Sequence, residues 1–220
     1  MQKSTCLPVL FIICISTAAQ KHVRDEPRHH NVFENEFVRI LDVHLGPKDT
    51  TEYHLHNTPS VFIVFTNTNV GSQLLGGKPE EGANVSGTIS FDSIAQPRIH
   101  RVWNKDTNWF HVIDAELVTK KKPIQLPALK NAALKILFTE ELVNGYELDL
   151  KGFNAVSLPA SARGYLLVSL DAGEATIKIN DAVQQRSLKQ GHYNWVDAGK
   201  KIYLLNKKAS EVRFVLLQFK

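Results

Sequence analysis

The chain has 220 residues, long enough for one large domain or two small ones with a buried core. Hydrophobic residues make up 43% and charged residues 22%, the balance of a folded globular protein rather than a disordered one. The net charge of +4 is scattered over pairs such as Lys200-Lys201 and Lys207-Lys208, with no basic stripe interleaved with aromatics, which argues against nucleic acid as a partner.

The first twenty residues read as an export signal. Lys3 gives a positive start, residues 7–15 form an apolar run broken only by Pro8, and Ser16, Thr17, Ala18 and Ala19 supply small residues for cleavage. The run is short for a bilayer. Residues 1–19 are therefore expected to be a removed signal peptide, with no membrane span in the mature chain and a periplasmic or secreted location. Cys6 and Cys14 fall inside this segment, so the mature protein would have no thiol or disulfide, while all nine histidines remain.

Past residue 30 the pattern is strand-like. Val38, Ile40, Asp42 and His44 alternate with Arg39, Leu41, Val43 and Leu45 before a Gly46-Pro47 turn. Residues 61–65 are a continuous β-branched and aromatic run, expected of a strand buried on both faces. The tract 71–87, with Gly76-Gly77 and Gly82, reads as a long hairpin over a barrel mouth, since no Lys-Ser or Lys-Thr pair follows for a phosphate loop. Further strands are predicted at 98–103, 109–117, 165–170, 175–179, 202–205 and 212–219. Turn chemistry at 104–108, 171–173, 197–199 and 206–210 separates them. The one helix-compatible stretch is 128–137. Many short strands with little helix predict an all-β sandwich or barrel.

A shift of 105 residues lays Phe33 on Phe138, Val38 on Val143, Val43 on Leu148, and Val61, Ile63 and Phe65 on Leu166, Val168 and Leu170. A slightly shorter shift pairs the turn at Asn104 with that at Asn206. The order and spacing of strands and turns repeat as well, so two copies of one β unit are expected. They would span 20–122 and 135–220, joined by a helix-compatible linker at 123–134.

His54 and His56 flank Leu55 on a predicted strand, so both imidazoles face one side and can reach one point inside a barrel. Imidazole is a common ligand for transition metals, and two rings on one strand make half of a coordination sphere. His100 stands four residues before Asn104.

These residues resemble the cupin superfamily, whose first motif carries H-x-H and whose second ends in H-x3-N, as in His100-Arg101-Val102-Trp103-Asn104. The resemblance implies two tandem cupin-like jelly-roll barrels, with His54, His56 and His100 as metal ligands in the first. It covers about residues 31–118 well and the rest more faintly. The family's glutamate ligand would fall at Ser60 or Val61, neither of which can replace it, so a three-histidine site is implied. His111, on a strand expected to return opposite His100, and Glu52, of matching strand parity, are candidates for a fourth or supporting ligand. Under the 105-residue shift the second half has Pro159 and Ser161 for the paired histidines. It also has Ile202 where the H-x3-N motif needs histidine, so that unit is degenerate.

The implied cofactor is one divalent transition metal, with Fe(II) favoured and Zn, Ni, Cu or Mn compatible. The leading expectation is a dioxygenase acting on a small organic molecule, with Trp103, Trp109, Phe62 and Phe65 lining a pocket or, as strand aromatics more often do, packing in the core, and Arg98 or Arg101 holding an anionic group. A non-catalytic ligand- or metal-binding module of the cell envelope and a metal-dependent sugar isomerase or lyase use the same fold. A homodimer is a compatible assembly. His29-His30 are expected in a polar N-terminal stretch, and His44 at a solvent-facing strand position.

Overall fold

The computed structural model describes residues 21–180 and 182–220; the expected signal segment and both cysteines lie outside them. Among the described residues there are eighteen strands, one 3-10 turn at Val23–Asp25, and no α-helix. The first half comprises β1 (His29–Glu34), β2 (Arg39–Leu45), β3 (His54–His56), β4 (Ser60–Val64) and β5 (Thr68–Leu74). It continues with β6 (Pro79–Asn84), β7 (Ile89–Asp92), β8 (Arg98–Asn104) and β9 (Phe110–Glu116). The second comprises β10 (Leu134–Thr139), β11 (Val143–Leu150), β12 (Ala155–Leu158), β13 (Tyr165–Ser169) and β14 (Gly173–Ile179). It ends with β15 (Ala182–Leu188), β16 (Tyr193–Val196), β17 (Ile202–Leu205) and β18 (Val212–Phe219).

Each half is a jelly roll of two sheets. In the first, a five-stranded sheet β1-β2-β9-β4-β7 faces a four-stranded sheet β3-β8-β5-β6. In the second, β10-β11-β18-β13-β16 faces β12-β17-β14-β15 in the same order. Even local irregularities repeat: the β1–β2 ladder shifts register between Asn31 and Phe33, and the β10–β11 ladder shifts between Ile136 and Phe138, 105 residues on. The tract 71–87 holds most of the β5–β6 hairpin, which extends the four-stranded sheet at its edge. Gly71 is required there: a Cβ would lie 1.9 Å from the Trp103 ring.

The two five-stranded sheets pack face to face. Ile40, Val61, Ile63, Ile113 and Ala115 meet Val143, Leu166, Val168, Val215 and Leu217 in one buried cluster. Strands in these sheets are thus covered on both faces, which is why residues 61–65 and 212–219 read as nearly unbroken apolar runs. The opposite faces line the interior of each half.

The linker departs from expectation. Residues 123–134 carry no helix, and the helix-compatible stretch 128–137 instead enters β10, with Leu134 opposite Leu148. Pro123 and Pro127 lack backbone donors, and alternating Leu134, Ile136 and Phe138 suit a strand that finds a partner in β11.

Candidate metal centre

The sheets of the first half enclose a cavity of about 270 Å³. Its walls are Val43 and Leu45 of β2, Phe62 and Val64 of β4, Val102 of β8, and Phe110 and Val112 of β9. His29, His54, His56, His100 and Asp114 also line it and supply its titratable side chains. Strand parity explains the mixture. Alternate residues of β2, β4 and β9 point inward here, while their neighbours build the interface with the second half.

Four imidazoles gather in this cavity. His54 and His56 share one face of β3, and His100 of β8 lies directly opposite His54. The His100 ring centroid is 4.8 Å from that of His54 and 4.9 Å from that of His56. His29 enters from the other sheet, its ring 4.7 Å from His54. His29, His54 and His56 each offer a nitrogen within 4.8 Å of the others. The Nε2 atoms of His54 and His56 are 3.1 Å apart. Two imidazoles held about 2.0–2.1 Å from one tetrahedral ion would have their nitrogens about 3.3 Å apart.

Three of the four outer nitrogens have hydrogen-bond partners that fix the rings. His29 Nδ1 meets the Glu26 carboxylate at 2.8 Å, and His54 Nδ1 donates to the Glu52 carbonyl at 2.8 Å. His100 Nδ1 lies 3.4 Å from Ser72 Oγ, and His56 Nδ1 faces Asp114 Oδ2 at 3.7 Å. Burial would raise the Glu26 pKa, but hydrogen bonds from His29 and from the Arg28 and Glu52 amides outweigh it and hold the group ionised. An ionised acceptor keeps the proton on His29 Nδ1 and frees Nε2 as a ligand. His100 Nε2 is buried with no hydrogen-bond partner, as are His56 Nδ1 and both Asp114 oxygens.

Burial is the main force on the ring charges. It lowers His54 to about 4, His56 to about 2 and His100 to about 3, with mutual repulsion among the rings adding to the effect. These three imidazoles are therefore neutral near pH 7, with lone pairs available to an ion. Asp114, 1% exposed, is pushed up to about 8, first by burial and then by the nearby Glu116 charge. Orphaned buried nitrogens, neutral rings and outer partners together fit a divalent metal bound by imidazoles.

No protein-family model and no curated protein sequence matches the chain. Solved structures do. A cupin 2 conserved barrel domain protein from Leptotrichia buccalis aligns at TM-score 0.55 and 12% identity over 86% of each chain. AerE from Microcystis aeruginosa aligns at 0.61 and 11%, over 89% of this chain and 98% of its own. A salicylate 1,2-dioxygenase from Pseudaminobacter salicylatoxidans aligns at 0.59 and 10%, over 83% and 71%. The fold is the cupin fold.

Within this cupin frame the structure brings the rings of His54, His56 and His100 together, although His29 rather than His100 completes the set of nitrogens within 4.8 Å of one another, and it leaves two other candidates out. Glu52 is exposed and pairs with Lys21; its contribution to the site is its backbone carbonyl. The parity argument fails for it because β3 begins only at His54. His111 lies on the far face of β9, opposite His44 of β2 and hydrogen-bonded to Asp42. The turn at 104–108 carries the chain from the β8 sheet into the β9 sheet instead of closing a hairpin, so His111 and His100 never face each other.

The expected pocket aromatics divide similarly. Phe62 lines the cavity, whereas Phe65 packs between the halves, Trp103 lies over Gly71 and Trp109 is exposed. Arg98 pairs with Asp92 at 2.5 Å, and Arg101 hydrogen-bonds Gln73 beside the Tyr53 ring. His29, Glu26 and Asp114 are the additions. Only the pairing of β1 with β2, and of β2 with β9, carries them to the site.

The second half shows the same frame without the site. Leu158 pairs with Ile202 as His54 pairs with His100, so register makes Leu158, rather than Pro159, the counterpart of His54. The ladder ends at Leu158, and Leu134 and Leu216 stand for His29 and Asp114. Leu158, Ile202 and Leu216 pack into the core of that unit. Asn104 and Asn206, by contrast, do one job in both halves. Each donates from Nδ2 to the carbonyl four residues on and to the last carbonyl of β2 or β11. The asparagine of the H-x3-N motif is a turn clamp.

Proposed function

We propose that the protein is a bicupin metalloenzyme of the dioxygenase type, using Fe(II) in its first half to oxidise a small, mainly apolar organic molecule. The observation that carries this reading is the gathering of four imidazoles, three of them held by hydrogen bonds, in a cavity with a largely apolar wall and one buried carboxyl group. When bound, the ion would supply open coordination positions for substrate and O₂ together with redox and Lewis-acid chemistry. The likeness to a structure named as a salicylate dioxygenase supports oxygen chemistry over isomerisation.

The chain's own residues divide the remaining work. His29, His54, His56 and His100 hold the ion, and Glu26, the Glu52 carbonyl and Ser72 hold the rings. Asp114 keeps its proton at neutral pH and can pass it within the cavity, or accept a hydrogen bond from His56 Nδ1 once ionised. Val43, Leu45, Phe62, Val64 and Phe110 exclude water and favour an apolar substrate face. Residues 1–19 are removed on export to the periplasm or medium, leaving a metal-binding unit (20–122) and a structural unit (135–220). An intact mass of the exported protein beginning at residue 20 checks the export reading.

The deciding experiment loads the mature protein anaerobically with Fe(II) and measures O₂ uptake against a panel of neutral and hydroxylated aromatic compounds. Uptake with at least one compound, abolished in His54→Ala, is expected. Stoichiometric iron with no uptake across the panel would point to a binding module instead. Purification with zinc or nickel at the site, inactive toward O₂, would favour isomerase or lyase chemistry.

A further inference from the structure

On the face of β2 and β9 turned away from the cavity, Asp42, His44 and His111 form a second group of ligand-type side chains. His44 and His111 are direct cross-strand partners, with stacked rings 4.1 Å apart. Both aim Nε2 at one carboxylate: His111 reaches Asp42 Oδ1 at 2.8 Å and His44 reaches Oδ2 at 3.1 Å. The three donor atoms lie within 4.8 Å of one another. A cavity of about 410 Å³ opens beside Asp42 and His111 at the seam between the halves, walled opposite by Lys189, Gly191 and His192. Gly191 presses close, since a Cβ there would lie 2.9 Å from His111 Cε1.

The second half again provides a comparison. Its residues at these three positions are Glu147, Asp149 and Arg213. The Arg213 guanidinium lies 3.6 Å from Glu147 and 2.9 Å from Asp171. There a fixed, permanent cation sits beside Glu147, one of the two carboxylates at these positions. The first half has no arginine at the equivalent place and instead presents two imidazoles, whose neutral forms carry lone pairs, around one carboxylate. Burial would raise the Asp42 pKa, but hydrogen bonds from His111 and His44 outweigh it and keep the group ionised.

We propose that Asp42, His44 and His111 form a second divalent-metal site, at the seam between the two halves and independent of the cavity site. Two imidazoles with one carboxylate suit zinc and its neighbours among the first-row metals. The mixed ligands and open side leave room for water or a further ligand from the second half.

The test is equilibrium dialysis of the full mature chain against Zn²⁺, followed by elemental analysis. Wild type is expected to hold two zinc ions per chain, and His44→Gln and His111→Gln one each. A His54→Ala/His56→Ala variant should keep only the seam ion. If the cavity reading fails while the seam site stands, wild type holds one ion and His44→Gln none. Equal zinc in wild type, His44→Gln and His111→Gln, each folded by circular dichroism, would overturn the proposal.

Discussion

Replacing Asp114 with asparagine tests how the cavity treats a buried acid. Asp114 is 1% exposed, and its folded pKa of about 8 stands far above the ordinary value of 3.8. Between those values the folded state holds a proton that the unfolded state has lost, so wild type loses stability as pH rises. The amide of the variant does not titrate. The histidines are common to both chains, and their contributions cancel in the difference. Each pH unit is worth about 1.4 kcal/mol, so the variant should gain on wild type by about 4 kcal/mol between pH 5 and pH 8. The constant offset between the chains absorbs any change in packing; the slope isolates the proton. Urea denaturation at pH 5, 6, 7 and 8 with chelator present measures it. A gap that stays flat over this range, or narrows toward alkaline pH, would refute the argument.

Other perturbations reach separate parts of the molecule. Glu26→Gln removes the charge that orients His29, and it should weaken metal binding about 10–100-fold in a chelator competition without altering secondary structure. Gly71→Ala drives a methyl group into the Trp103 ring, and a loss of about 1–3 kcal/mol should appear as a lowered Tm. Asn206→Ala removes a turn clamp of three hydrogen bonds, to Leu150, Lys208 and Ser210. A loss of about 2–3 kcal/mol in urea denaturation is expected, with cavity metal content unchanged.

Much of the frame was legible because it rests on local rules. Alternation and turn residues marked strands such as β2, β8 and β18, and the 105-residue repeat announced two matching units before any pairing was known. His54 and His56 declared themselves by two-residue spacing on one strand, and His100 by its motif. The helix-compatible linker misled because the alternation of Leu134, Ile136 and Phe138 is short; pairing with β11 decides its conformation. The second half's true equivalences also needed pairing, since Leu158 rather than Pro159 stands across from Ile202.

What the sequence by itself determined was therefore the periodic part: strand faces, turns, the duplicated order and the histidines that share a strand or motif. The tertiary structure decided which distant faces meet. His29 and Asp114 lie 25 and 60 residues from His54 and reach it only because β1, β2 and β9 form one sheet across the cavity from β3 and β8. His111 is one residue from Val112 in the cavity wall, yet it ends on the seam with His44. A strand's alternation separates its two faces, but only the packing of sheets settles what each face looks upon.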